Sequence, residues 1–236
     1  MYDLYTKVIN PRRKVKTIFK DIELIRQELR ASDLEIEVLD LGAGSRVNKS
    51  NRRQVNQIAR NAEKPARFGR LFYALSTYLS TESILELGTS LGLTTAYFAK
   101  ADSTTKVITL EGCPETAAIA RANFHRLELE SVTTVIGNID ETLPKVLADE
   151  ENGFDLIFFD ANHRYEPTVR YFEIAKKYAR PKSVFIFDDI YWSEEMKQAW
   201  EVIKADPDVT VTIDLFWIGL VFFRKEQPKE NFILRF

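Results

Sequence analysis

Cysteine is nearly missing, with Cys113 the single thiol among 236 residues. One thiol excludes an intrachain disulfide and any cysteine-rich metal site, and it suits a reducing, cytoplasmic setting. Histidine is almost as scarce, with only His125 and His163. Neither sign of charge dominates: the net charge is −2, so no overall field draws the chain onto nucleic acid or anionic lipid. Apolar runs of membrane-crossing length are lacking, and the first residues do not read as a secretory signal. Internal repeats and low-complexity tracts are lacking too. Hydrophobic residues make up 45% of the chain and charged residues 29%. That is the balance of a chain able to bury one good core.

Two regimes divide the chain. In the first, Val15, Ile18, Phe19, Ile22, Ile25 and Leu29 recur at helical spacing and predict an amphipathic helix over 14–31. Residues 34–52 read as irregular. Pro65 can open a further helix with Phe68, Leu71, Phe72, Leu75 and Leu79 on its apolar face. From Ser83 onward strands and helices alternate. Strands are predicted at 83–87, 106–110, 132–136, 154–159, 183–187, 209–215 and 218–224. Helices are predicted at 93–101, 114–129, 139–149, 166–179 and 194–205. Most of the strands are continuous apolar runs, as expected when both faces of a parallel sheet are covered. The last two are too closely joined to be anything but antiparallel. The expected architecture is α/β: a doubly wound, mostly parallel seven-stranded sheet with a C-terminal antiparallel strand, over 83–236, preceded by a helical extension over 1–82 that acts as a substrate lid or dimer contact.

The most informative segment is Ile84-Leu85-Glu86-Leu87-Gly88-Thr89-Ser90-Leu91-Gly92-Leu93-Thr94-Thr95. It passes from an apolar strand through a Gly-x-x-x-Gly turn into a helix, the arrangement by which an α/β sheet offers backbone N–H groups to a nucleotide-like ligand. Glu111 lies 23 residues beyond Gly88, at the end of the next apolar run. An acid there can accept hydrogen bonds from both ribose hydroxyls. A dinucleotide site is the rival reading, but its fingerprint is Gly-x-Gly-x-x-Gly.

With these residues in view, the chain resembles the class I S-adenosylmethionine-dependent methyltransferases, and among them the small-molecule O-methyltransferases related to catechol O-methyltransferase. The resemblance covers roughly residues 82–225. It rests on Glu86-Leu87-Gly88-Thr89-Ser90-Leu91-Gly92, Glu111, Gly137-Asn138-Ile139-Asp140, Asp160-Ala161-Asn162-His163 and Asp188-Asp189. It implies a Rossmann-like methyltransferase fold and S-adenosylmethionine as cofactor, held by Glu86, Gly88, Thr89, Ser90, Gly92, Glu111, Asn138 and Asp160. It implies methylation of a small hydroxylated acceptor. The bland reading of Gly137-Asn138 is ordinary turn chemistry.

Asp160 ends the fourth strand of this series, and Asp188 and Asp189 end the fifth. The carboxyl ends of such strands face the ligand crevice. Three carboxylates converging there repel unless a cation or protons offset them, and a hard divalent ion such as Mg2+ takes oxygen ligands. Asp160, Asp188 and Asp189 are therefore candidate metal ligands. Metal-dependent relatives place a carboxamide where Asp189 stands, which adds negative charge here. The alternative is that Asp188 or Asp189 binds nearby backbone while Asp160 alone faces the substrate. His163 and Asp160 are the candidate catalytic residues, since an imidazole can accept a hydroxyl proton near neutral pH. The bland alternative is a structural histidine that caps its loop. His125 is expected at the surface. Tyr165 and Trp192 are candidate aromatic walls, or core.

Weaker signals remain. Val38-Leu39-Asp40-Leu41-Gly42-Ala43-Gly44-Ser45 imitates the first motif but lacks a following apolar strand and acid. It is read as a Gly turn or as a loop closing over the pocket. Arg12-Arg13-Lys14-Val15-Lys16 and Arg52-Arg53 are read as solvated faces. In a nucleic-acid methyltransferase they would be phosphate contacts. The apolar tail Asn231–Phe236 docks on its own domain or across a homodimer. Two rival functions stand beside small-molecule methyl transfer: a non-catalytic nucleoside-binding interaction module, and a nucleic-acid methyltransferase.

Overall fold

A computed structural model describes residues 2–11, 17–39 and 51–236. Among them, eight strands form one sheet. They are β3 (Ser83–Leu87), β4 (Lys106–Glu111), β5 (Val132–Ile136), β6 (Leu156–Phe159), β7 (Val184–Asp188), β8 (Val211–Asp214), β9 (Ile218–Phe222) and β10 (Glu230–Ile233). Their order across the sheet is β10-β8-β9-β7-β6-β3-β4-β5. Strands β5, β4, β3, β6 and β7 run parallel, and β9 is antiparallel to both β7 and β8. The seven expected strands are all present, and the reversed one is β9. The eighth corrects the expected count: β10 pairs in parallel with β8. The tail thus pairs with this chain's own sheet through β8, and Phe236 lies against Phe68 at 5.3 Å between ring centroids.

Burial on both faces explains the continuous apolar runs. Along β3, β6 and β7 alternate residues turn to opposite sides. Ile84, Leu156, Phe158, Val184 and Ile186 join one core, while Leu85, Leu87, Ile157, Phe159, Phe185 and Phe187 join the other. The helices between these strands are α5 (Leu93–Ala99), α6 (Pro114–Arg126), α7 (Ile139–Asp149), α8 (Tyr165–Ala175) and α9 (Glu194–Ala205). Pro114 opens α6 at a position where its missing N–H costs nothing. Ser193 caps α9 by accepting the Met196 N–H at 3.2 Å. Helices α5 and α6 stop short of the expected 101 and 129. Glu128, just past α6, has a left-handed φ of 55°.

The extension is built into the core. A short helix α1 (Tyr2–Leu4) begins the chain, and α2 (Lys20–Ala31) carries the predicted apolar face from Ile22 onward. Val15 lies outside the described residues. Ile22, Ile25 and Leu29 pack with Leu91, Leu93, Ala96 and Tyr97 at the start of α5. Helix α4 (Ala66–Leu79) follows Pro65 as expected, and its Phe72 stacks on Phe98 of α5 at 5.1 Å. The span 34–52 is corrected in part: β1 (Glu35–Glu37) pairs antiparallel with β2 (Arg52–Gln54), with Glu37 opposite Arg52. Both strands are too short and too charged to show an apolar alternation. Helix α3 (Val55–Asn61) follows β2 directly. Among the described residues no helix is long and apolar enough to cross a membrane.

Candidate functional site

The carboxyl ends of β3, β4 and β6 open onto a cleft of about 700 Å³. That size suits a ligand larger than a single ion. The first wall is the β3–α5 turn. Gly88 and Gly92 have φ of 97° and 83°, and Ser90 between them has 50°. A Cβ on Gly88 would run into the carbonyl oxygen of Asp160. Glycine is therefore required both by conformation and by space. The N–H groups of Ser90 and Cys113 each donate to the Glu111 carboxylate at 2.9 Å. Burial pushes the Glu111 carboxyl above its usual range, and these backbone donors oppose that rise.

Gly88, Ser90, Glu111, Asn138 and Asp160 all line the cleft, so five of the expected cofactor residues share one cavity. Asn138 also caps α7, accepting the Asp140 N–H at 3.0 Å. The other three stand behind the turn. Glu86, Thr89 and Gly92 do not reach the cleft wall. Glu86 is fully buried and accepts from the hydroxyls of Thr95 and Thr109. Thr89 Oγ1 lies 2.6 Å from Thr109 Oγ1. A Cβ on Gly92 would come within 2.6 Å of the Phe124 ring. These residues shape the turn from inside.

The second wall carries the acids. Asp160 and Asp189 line the cleft, with His163, Trp192 and Asn162. Asp188 lies beneath them with a fully enclosed side chain. His163 Nε2 is 3.4 Å from Asp160 Oδ1. Asn162, His163 and Asp189 all have positive φ, at 66°, 27° and 51°. Such conformations cost on the order of 1 kcal/mol each and gather where a site over-determines the backbone. Tyr165 lies in a neighbouring outer groove with Arg164 and Glu195. His125 is exposed, as expected.

Two adjacent residues that motif reasoning missed complete the centre. Lys64 places its ammonium against Asp188 Oδ2 and 3.2 Å from Asp189 Oδ1. Glu63 accepts the Leu91 N–H at 2.9 Å, inside the donor turn. Neither Asp188 oxygen makes a well-aligned hydrogen bond, so the Lys64 contact is one of charge rather than direction. Burial opposes the charge on Lys64, but Asp188, Asp160 and Asp189 together outweigh it and hold its pKa above the ordinary lysine value. Burial likewise opposes ionisation of Asp160, yet Lys64 and His163 bring its pKa down to about 2. Burial and the neighbouring Asp160 push Asp188 the other way, against the pull of Lys64. The only sequence signal for Lys64 was a charged pair standing just before the proline that opens α4. From the same extension Val38, Leu39, Gln57, Ile58 and Asn61 also line the cleft. Gly42–Ser45 and Arg12–Lys16 lie outside the described residues.

The expected metal set of Asp160, Asp188 and Asp189 does not come together as such. The carboxylate and imidazole atoms that converge within 4.8 Å belong to Asp160, His163 and Asp188, while Asp189 is turned to Lys64. Mg2+ demands oxygen ligands at about 2.0–2.1 Å. Here one of the three groups is an imidazole, and another already meets an ammonium. This donor set does not fit a resident Mg2+ ion.

Residues 85–190 match a family model described as a methyltransferase domain. A catechol O-methyltransferase of Niastella koreensis is 32% identical over 124 residues, which cover 52% of this chain and 55% of that protein. A catechol O-methyltransferase of Mycobacterium tuberculosis is 32% identical over 127 residues, 53% of this chain and 56% of that one. The chain thus spans little more than half the length of the curated relatives it matches. Among solved structures, cofactor-bound Rv0187 from MTB aligns with a TM-score of 0.62 at 26% identity, covering 70% of this chain and 84% of that one. An O-methyltransferase from Bacillus cereus in complex with SAH aligns with a TM-score of 0.63 over 94% of this chain and 95% of that one. At 20% identity that is a likeness of fold.

Proposed function

We propose that this chain is a class I methyltransferase, that its cleft binds S-adenosylmethionine, and that it methylates a hydroxyl oxygen of a small acceptor; the methyltransferase-domain match over 85–190 supports the reading. The carrying observation is that the two walls share one cavity: Gly88, Ser90 and Glu111 on one side, Asp160 and His163 on the other. Bound S-adenosylmethionine supplies a sulfonium methyl group; the acceptor oxygen's lone pair forms the new oxygen–carbon bond while the carbon–sulfur pair goes to sulfur.

Each remaining task falls to residues of the chain. Glu111, already holding backbone N–H groups, is placed to exchange them for ribose hydroxyls. Gly88 lets the turn close against the Asp160 carbonyl, where no side chain fits, and so joins the two walls of the cleft. His163 takes the acceptor's hydroxyl proton, with Asp160 orienting its ring. Asp160, held ionised, stabilises the imidazolium that results. Trp192 and the extension residues Val38, Leu39, Gln57 and Asn61 line the rest of the same cleft. We assign Gln57 and Asn61 of the extension, with Trp192, to contact with the acceptor. No observation in the cleft favours a non-catalytic module or a nucleic-acid substrate.

The test is transfer of labelled methyl from S-adenosylmethionine to a panel of phenols, catechols and aliphatic alcohols. Turnover of at least one acceptor is expected, falling by roughly 10²–10⁴ in His163→Ala while S-adenosylhomocysteine still binds. A His163→Ala chain that turns over at the unaltered rate would contradict the assigned role of the imidazole.

A further inference from the structure

We propose that the Lys64 ammonium is the resident cation of this centre, so that the chain holds its acceptor oxygen without a divalent ion. The proposal rests on the methyl-transfer reading above and adds to it the source of positive charge.

Lys64 is anchored as a built part of the site. Arg26 donates through Nη1 to the Lys64 carbonyl at 2.9 Å, and Arg26 is itself buried. The preceding residue, Glu63, is fastened to the donor turn through the Leu91 N–H. The Lys64 side chain is 15% exposed, and its ammonium meets carboxylates from both β7-terminal acids. Asp189 adopts its left-handed φ of 51° and presents Oδ1 to that ammonium. Lys64 also lines the cleft, beside Asp160 and His163.

A divalent ion on the same carboxylates would be displaced by this arrangement. Coordinated to Asp188 at about 2.1 Å, it would lie within about 5 Å of the Lys64 nitrogen. Like charges at that separation in an enclosed site repel strongly. An ammonium in this position can instead stabilise the oxyanion that develops as the acceptor hydroxyl gives its proton to His163. The balance is complete: the proton goes to the imidazole, the oxygen pair forms the bond to the methyl carbon, and the carbon–sulfur pair leaves with sulfur.

The test is electron paramagnetic resonance of Mn2+ titrated into the chelator-treated full chain, for wild type, Lys64→Met, Lys64→Arg and the double variant Lys64→Met with Asp188→Asn. Wild type and Lys64→Arg are expected to bind no Mn2+. Lys64→Met is expected to bind it, and the double variant to lose it again. Methyl transfer by wild type should change less than about twofold with chelator or added Mg2+. That of Lys64→Met should fall about 100-fold and recover at least tenfold with Mg2+. Mn2+ bound by wild type and lost in Asp188→Asn, or a folded Lys64→Met chain that binds none, overturns the proposal. If Lys64→Met does not fold, the wild-type titration and the chelator response decide alone. Failure of the methyltransferase reading would appear separately, as absence of turnover in every variant, while the Mn2+ titration still answers.

Discussion

Gly88 and Asp160 meet backbone to backbone: the Gly88 Cα faces the Asp160 carbonyl so closely that no side chain fits between them. The contact follows from the parallel pairing of β3 with β6, in which the Asp160 N–H donates to the Leu87 carbonyl at 2.9 Å. It brings the donor turn and the acid wall of the cleft together at one point.

Gly88→Ala should therefore damage both walls at once. The φ of 97° is strained for alanine, costing on the order of 1–3 kcal/mol, and the clash is with backbone that cannot rotate away. A lower melting temperature and loss of S-adenosylhomocysteine binding by calorimetry are expected. Unchanged affinity in Gly88→Ala would show that the turn does not contact the ligand.

Glu63→Ala tests the support of that turn. Removing the carboxylate leaves the buried Leu91 N–H without its 2.9 Å acceptor. A loss of about 1–3 kcal/mol is expected, with S-adenosylhomocysteine bound roughly tenfold more weakly. An affinity equal to wild type would separate the extension from the donor site.

Stability should depend on pH through Glu86. Burial pushes its carboxyl up to about 8 from an ordinary value of 4.5, despite the Thr95 and Thr109 hydroxyls that favour the charged form. Between those values the native chain holds a proton that the unfolded chain has released. The contribution is whole below about 4.5 and declines as pH rises, until it is lost above about 8. Across that window the folded chain loses stability by about 1.4 kcal/mol for each rise of one in pH. Glu86→Gln, neutral throughout, should flatten this slope. Urea midpoints at about pH 5 and about pH 8 check it, and an identical slope in both chains would exclude Glu86 as its source.

The tail offers a control. Truncation before Glu230 removes β10, whose ends are tied by Glu230 N–H to Thr210 and Leu234 N–H to Asp214 at 2.8 and 2.9 Å. Loss of Phe232, Leu234 and Phe236 from the core edge should cost roughly 3 kcal/mol and several degrees of melting temperature. Affinity for S-adenosylhomocysteine should stay as it was, because β10 lies at the far edge of the sheet, with β8, β9, β7 and β6 between it and β3.

How far each part was legible follows from what holds it. Strands such as Leu156–Phe159 are buried on both faces, so their apolar runs announce them. The turn at Gly88 and the acid at Glu111 are local and periodic, and the cleft unites them as expected. Edge strand β10 carries only Phe232 toward the core and leaves Ile233 82% exposed, too little alternation to distinguish it from a docked tail. Strand β1 buries only Ile36 between two exposed glutamates and β2 has no apolar residue, so these three-residue strands leave too little alternation to read. Lys64 was invisible because its partners stand more than a hundred residues away and charge pairing has no period. For the same reason the acids of β6 and β7 read as ligands for an ion, when two of them already face an ammonium.

The central claim is that the cleft at the ends of β3, β4 and β6 is a methyl-donor site. Calorimetric titration of S-adenosylhomocysteine into the full chain tests it most directly. Saturable binding to a single site, lost in Gly88→Ala and weakened in Glu111→Ala, is the predicted result. A wild-type chain that is folded and takes up neither S-adenosylhomocysteine nor S-adenosylmethionine would contradict it.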